Sequence, residues 1–382
     1  MKKLCFIVVS TILLNSCNTD DGISMNTETS PIEKMLVDFM DDNVNSRSKS
    51  IHINRIDRQN YVVTRDSVYA TEEIMSRSGE NESDYFEMST VEFSIGDNQG
   101  YAVLSDDPRI DKIYFFTEEG CINDTVNIKP LKEFIDMIPV FASDEVRGVR
   151  PEPFEPFEPN PGNPDPGTPP DYTVNPITTT KWGQGYPYNC YGKECTCSDC
   201  SNYYSGHNPI GCVTVATAQA IAKCGKFHGT FYGNKDIDFT DLTAYSYPVA
   251  RQYEQIAHFF HEVALCCQIK FGCSGSGSTL KAAYQYLKDL GYSCAYYQGS
   301  ITPETVKSNL SAGRPHLIAG GGHMWLIDGI KRISGKYYYN CNWGWSGSSN
   351  GWSYGNPYTA TTSSGKEEYS SNLRQLYINA IP

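Results

Sequence analysis

Nine of the twenty residues from Pro151 to Pro170 are prolines, set among Glu, Asn, Gly and Asp. Each proline fixes φ and removes a backbone donor, so this stretch can join neither a helix interior nor a sheet ladder. It reads as an extended, protease-accessible linker that divides the chain into two folding units. The expected organisation is a leader over 1–17, a first unit over 18–150, a linker over 151–175 and a second unit over 176–382. A chain of 382 residues can give both units a core of their own.

The two units differ in charge. Residues 1–170 carry 31 acidic and 15 basic side chains, whereas residues 171–382 carry 13 and 16. Opposite signs on either side of a linker favour docking of one unit on the other. The plainer reading is an acidic segment that keeps the chain soluble. The basic excess is small and unclustered, which excludes a nucleic-acid binder.

Lys2 and Lys3, the apolar run from Leu4 to Leu14 and then Asn15-Ser16-Cys17 read as a secretory signal. A cysteine directly after the apolar run resembles a bacterial lipobox, which makes Cys17 the lipidated N-terminus. Asp20-Asp21 just beyond it resembles a surface-export signal. No other apolar run is long enough to cross a bilayer, so a lipid anchor is the only membrane attachment expected. Export predicts disulfides among the fourteen cysteines. Ten of them, besides Cys212, lie between Cys190 and Cys341, enough for up to five bridges. Cys190, Cys195, Cys197 and Cys200 could instead hold zinc, but no second CxxC or paired histidine follows at finger-like distance. No metal and no cofactor is expected.

In the first unit, Ile32, Met35, Leu36 and Phe39 follow helical spacing behind Pro31. Strand-like alternation then runs between Tyr61 and Phe116, with a turn at Asp97-Asn98-Gln99-Gly100 and a second helix over Leu131–Ile138. This is a small α+β unit without a catalytic cluster. In the second unit the spacing predicts helices over Cys212–Cys224, Tyr253–Ile269, Leu280–Leu290 and Thr302–Gly313. Strands are predicted over His316–Ala319, Met324–Ile330, Lys336–Cys341 and Leu373–Asn379. Helices followed by an antiparallel sheet make an α+β fold of two layers with a cleft between them.

Chemistry concentrates at that cleft. Gly211 places Cys212 at the start of a helix rich in Ala216, Ala218, Ala220 and Ala222. A thiol there feels unpaired N–H groups and the helix dipole, which favour thiolate. A thiol nucleophile also needs a base, a group to orient the base, and oxyanion donors. His323, after three glycines ending at Gly322, is the candidate base, because a substrate backbone can pass close to it. Asn342 is the candidate for orienting the ring through its side-chain carbonyl, as in Cys-His-Asn triads. Trp343 would shield that bond from water. Gln184, among glycines and aromatics, would join the Cys212 N–H in an oxyanion hole. Taken singly, each of these residues also fits a plain packing or turn role.

Together, Gly211-Cys212 with Ala-x-Ala-Gln219 after it, Gly322-His323 running into Leu326-Ile-Asp-Gly329, Asn342-Trp-Gly-Trp345 and Gln184-Gly-Tyr-Pro-Tyr-Asn189 resemble streptopain, the papain-like cysteine protease family of bacteria. The resemblance covers residues 177–382, and Gly272–Ser278 is similar to that family's substrate-cleft loop. Gly100-Tyr-Ala-Val-Leu-Ser-Asp-Asp107 is similar to its inhibitory prosegment.

The resemblance implies an exported zymogen with a papain-like catalytic domain and Cys212, His323, Asn342, Gln184 and Trp343 in its machinery. Gly211, Gly322, Ser276, Gly277 and Ser278 would line the substrate groove. Protein or peptide substrates and the chain's own prosegment, released by a cut in the linker, are the partners implied. Cys341 and Ser346 depart from the family pattern. Two other readings share this fold: an amidase or acyl transferase, and an inactive surface binding module.

Overall fold

The computed structural model describes residues 30–41, 50–63, 68–71, 85–110, 112–147, 170–197, 206–229, 237–298, 302–355 and 373–382. The expected leader, Cys17, nearly all of the proline-rich stretch and Cys200 lie outside the described residues.

The N-terminal half opens with helix α1 (Pro31–Asp41), which buries Ile32, Leu36 and Phe39 on the predicted stripe. An antiparallel array follows: β1 (His52–Val63), β2 (Val68–Thr71), β3 (Tyr85–Ile95), β4 (Asn98–Ser105) and β5 (Lys112–Thr117). The β3–β4 hairpin turns on Gly96-Asp97, with Ile95 paired to Asn98, so Asn98 and Gln99 belong to the strand and not to the turn. Helix α2 (Lys129–Val146) is longer than the periodicity around Leu131–Ile138 suggests.

In the C-terminal half, β6 (Tyr172–Val174) precedes helix α3 (Cys212–Cys224) and the short α4 (Phe239–Leu242). Helices α5 (Tyr253–Cys266), α6 (Leu280–Asp289) and α7 (Pro303–Ser311) alternate with β7 (Ser293–Gln298). Strands β8 (His316–Gly320), β9 (His323–Ile333), β10 (Lys336–Asn342), β11 (Gly351–Tyr354) and β12 (Arg374–Ala380) complete it. This is the expected α+β arrangement of a helical layer on an antiparallel sheet, with β6, β7 and β11 as additions the sequence pattern did not reveal.

Helix α3 sits where the layers meet. Ten of its residues, Val213 to Ala222, are buried, and it packs on β9 below and α5 beside it. Small side chains allow that close approach on several faces at once. Gly225 ends the helix in a left-handed cap, its N–H donating to the Ile221 carbonyl.

The two halves share one sheet. Its order is β2-β1-β3-β4-β5-β11-β10-β9-β8-β12-β7, and β5 joins β11 through Phe116–Trp352 and Phe115–Ser353 pairs. Backbone pairing of this kind covers a strand edge that would otherwise stand open. Helix α1 adds a second fastening: the buried Lys331 ammonium donates to the Phe39 carbonyl at 2.8 Å and lies over the rings of Phe39 and Trp352.

The cysteines depart from the expected broad cross-linking. The disulfide described joins Cys197 to Cys273. Cys190, Cys212, Cys224, Cys266, Cys267, Cys294 and Cys341 are free thiols. Cys267 and Cys341 are buried in packed cores, where a thiol behaves as a small hydrophobe. Among the described residues no helix is long and apolar enough to cross a membrane.

Candidate active site

Gly211 sets the start of α3. It has φ +91°, and a Cβ there would stand 2.7 Å from the Ser276 carbonyl oxygen. Only glycine combines that backbone with that approach. Its carbonyl accepts the first intrahelical bond, from the Val215 N–H at 3.2 Å, leaving Cys212 in the first turn with its sulfur at the helix N-terminus.

The facing wall is β9. Gly321 and Gly322, both at positive φ, turn the chain so that His323 begins the strand. The Cys212 thiol and the His323 imidazole are hydrogen-bonded to each other. Burial by itself would push the thiol up. The His323 charge and hydrogen bond outweigh it, with the N–H groups of Met324 and Val213 also aimed at the sulfur, and hold it below the ordinary cysteine range. Burial by itself would push the imidazole down. The Cys212 charge and hydrogen bond, followed by the Trp343 carbonyl, outweigh it and raise the ring above the ordinary histidine range. Both shifts favour a thiolate–imidazolium pair. The other core thiols move the opposite way: burial pushes Cys267 and Cys341 up to about 12.

The ring's second contact differs from the expectation. His323 Nε2 lies 2.8 Å from the Trp343 carbonyl oxygen, so a backbone acceptor, not the Asn342 side chain, holds the ring. Asn342 turns the other way. Its Nδ2 donates to the Thr180 carbonyl (2.9 Å) and to Gln219 Oε1 (3.2 Å), and its Oδ1 accepts from Gln219 Nε2 (3.2 Å) and the Gly344 N–H (3.3 Å). A sequence shows that an Asn is present at such a turn; it does not show that the neighbouring carbonyl is the better-aimed acceptor.

Three indoles enclose His323. Trp343, fully buried, has its centroid 6.5 Å from the imidazole; Trp325 and Trp345 each lie at 6.4 Å, nearly parallel to it. Trp343 and Trp345 both belong to the Asn342-Trp-Gly-Trp345 motif, whereas Trp325 on β9 was not among the candidate site residues.

Gln184 is buried, and its carbonyl accepts from the Ile210 N–H at 2.9 Å, two residues before the thiol. The same segment meets the tryptophan turn where the Trp182 carbonyl accepts from the Ser346 N–H at 3.2 Å. The Gly272–Ser278 loop also closes on this corner. Ser276 Oγ accepts from the Gly272 N–H, Ser278 Oγ donates to the Cys267 carbonyl, and Gly277 pairs with Lys270 in both directions. Both serine hydroxyls therefore shape the loop, while its backbone faces Gly211. The Cys197–Cys273 disulfide straps this loop to the segment that follows Gln184, with Cys195 Sγ 3.3 Å from Cys197 Sγ. Gly322 borders the histidine with open space at its Cβ position.

The N-terminal half grips the turn that follows Trp343. The Glu119 carbonyl accepts from the Ser349 N–H, its carboxylate pairs with Lys181, and Tyr247 Oη donates to that carboxylate at 3.1 Å and lies 3.0 Å from the Ser346 carbonyl. Tyr101 Oη meets Ser349 Oγ at 3.1 Å.

Residues 182–353 match the model of the Peptidase C10 family. Streptopain of Streptococcus pyogenes serotype M1 is 25% identical over 215 residues, which is 44% of this chain and 52% of that protein. The chain thus spans about half the length of the curated relatives it matches. Among solved structures, a prointerpain A fragment of Prevotella intermedia superposes with a TM-score of 0.56 at 22% identity, covering 77% of this chain and 96% of that one. Active interpain A of the same organism gives a TM-score of 0.42 at 22% identity over 56% of this chain and 97% of that one. The fold is that of the prointerpain A fragment, and residues 182–353 are similar to the Peptidase C10 family.

Proposed function

We propose that this streptopain-like chain is the zymogen of a cysteine endopeptidase. The observation that carries the reading is the hydrogen-bonded Cys212–His323 pair, in which the thiol is lowered and the imidazole raised. In this mechanism the Cys212 thiolate attacks the scissile carbonyl carbon and a C–S bond forms. The oxyanion is held by the Cys212 N–H and the Gln184 side-chain amide. The His323 imidazolium gives its proton to the leaving amine as the C–N bond breaks, leaving a thioester. His323 then takes a proton from water, the resulting hydroxide displaces the sulfur, and a carboxylate product leaves with the thiol regenerated. Trp343 and Trp345 keep water from the His323–carbonyl bond, and the backbone beside Gly211, Gly322 and Ser276 to Ser278 borders the substrate groove.

The N-terminal half, within 18–150, is the intramolecular inhibitor. Its grip on the turn after Trp343 supports this, because that turn directly follows the carbonyl that faces the His323 ring. A cut within 151–175 would release it. The expected outcome is that chain trimmed in the proline-rich stretch digests a peptide library, intact chain digests it at least about tenfold more slowly, and trimmed Cys212→Ala is inert. Equal activity before and after trimming would remove the inhibitor role, and an inert trimmed wild type would favour a binding module on this fold. Export with a lipid on Cys17 rests on the leader pattern. An unmodified mature N-terminus by mass spectrometry would refute the anchor.

A further inference from the structure

Asn342 does not touch His323, yet it lies in a closed network of buried amides that ends at the histidine's acceptor. The Trp343 carbonyl that faces His323 and the Gly344 N–H that donates to Asn342 Oδ1 are the two ends of one planar peptide group. Whatever fixes the Asn342 amide therefore fixes where that carbonyl points. Gln219 fixes it from both sides, with Nε2 donating to Asn342 Oδ1 and Oε1 accepting from Asn342 Nδ2, each at 3.2 Å. Thr180 completes the set: its hydroxyl donates to Gln219 Oε1 at 2.8 Å and its carbonyl accepts from Asn342 Nδ2 at 2.9 Å. Gln219, Asn342 and Thr180 are all almost fully buried, so no water competes for these bonds.

Gln219 stands seven residues after Cys212 on the same helix, close to two full turns, and so shares its stripe. Val215 on that stripe meets the turn directly: a Cβ on Gly344, at φ +72°, would lie 2.9 Å from Val215 Cγ1. One rigid helix thus carries the nucleophile at its first turn and a clamp on the histidine's support two turns below.

We infer that Gln219 is a positioning residue, which holds the Asn342 amide so that the Trp343–Gly344 peptide aims its carbonyl at His323 and keeps the imidazole in register with Cys212. The inference rests on the peptidase reading only where turnover is measured. Loss of the clamp frees the carbonyl, weakens the hold that raises the imidazole, and leaves the thiolate less supported. The Cys212 thiol therefore titrates at higher pH.

The test compares trimmed wild type with Gln219→Ala, the isosteric Gln219→Glu, Asn342→Ala and the Gln219→Ala/Asn342→Ala pair. Thermal melts identify the folded variants, and activity is normalised to titrated sites. Gln219→Ala is expected to lower kcat per site about tenfold with KM within about twofold, and the double variant to be no worse than the poorer single variant by more than about twofold, as coupled neighbours behave. Gln219→Glu keeps the acceptor but loses the donor to Asn342, and should fall between wild type and Gln219→Ala. The rate of iodoacetamide addition to Cys212 against pH should shift to higher pH in the same order. That readout needs no substrate: a shifted profile in a chain that cleaves no peptide would retain the inference and discard the peptidase reading. An unchanged profile and unchanged kcat per site in folded Gln219→Ala, even with a lowered melting temperature, would reduce Gln219 to a core residue and overturn the inference.

Discussion

Trimmed His323→Ala should lose about four to six orders of magnitude in kcat/KM, the scale seen when one member of a nucleophile–base unit is removed. Two losses combine in that number. Without the imidazolium, burial around Cys212 is no longer opposed by a neighbouring charge, so the thiol rises toward the protonated range of the other buried cysteines. The leaving amine also loses its proton donor at the step that breaks the C–N bond. What remains would come from the Cys212 N–H, the Gln184 amide and the groove, which act on a bound substrate without the base. Steady-state kinetics on a peptide substrate, with circular dichroism to confirm folding, measures the effect. A loss of less than about tenfold would mean that another group serves as base.

Gly211→Ala should be nearly as damaging for a different reason. The residue sits at φ +91° and ψ 143°, a backbone region essentially restricted to glycine, and the new methyl would stand 2.7 Å from the Ser276 carbonyl oxygen. Strain and clash together should cost about 2–5 kcal/mol of stability. Because the same residue sets the first turn of α3, relief of the clash displaces the Cys212 thiol, its N–H or the Ser276 loop, so activity in the folded fraction should fall as well. Gly322→Ala is the matched comparison. It has φ +78° but open space at the Cβ position, so it should cost only the left-handed strain, about 1–2 kcal/mol. Thermal melts of the two variants read the difference. Equal destabilisation would show that the Ser276 contact contributes nothing.

The parts of this molecule written locally were legible in the sequence. Small-residue spacing after Gly211 defined α3, the apolar run after His323 marked β9, and the apolar stripe of α1 was visible from Ile32 to Phe39. The α+β class follows from such local patterns plus their order along the chain. Long-range pairing was not legible. The union of the two halves into one sheet depends on β5 meeting β11, and β11 is four residues of glycine, tryptophan, serine and tyrosine without alternation. β1 was only partly visible, since its twelve residues are mostly polar and half-exposed.

The chemistry shows the same divide. Residue types that do chemistry can be picked out in sequence, but a backbone carbonyl has no letter of its own, so the Trp343 oxygen was assigned to the Asn342 side chain. Gln219 carried no chemical signal beyond its place in a motif, because a glutamine on an apolar helix reads as a surface position until its partners are seen. The cysteines misled in the other direction. Their number suggests cross-linking, but several are free thiols packed in or against the core.

The most direct measurement of the central claim is the rate of Cys212 alkylation by iodoacetamide as a function of pH, with the labelled thiol identified by peptide mapping, in trimmed wild type and His323→Ala. A folded thiol pKa below the ordinary value predicts that the rate rises at lower pH than for a model thiol. Cys212 should then be modified at neutral pH well before Cys224, Cys266, Cys267, Cys294 or Cys341, all pushed up to about 11 or 12. His323→Ala should move the Cys212 profile to higher pH by removing the partner that lowers it. A Cys212 that reacts no faster than those other thiols, or whose profile is unchanged when His323 is gone, would contradict a thiolate–imidazolium pair and with it the peptidase mechanism built on that pair.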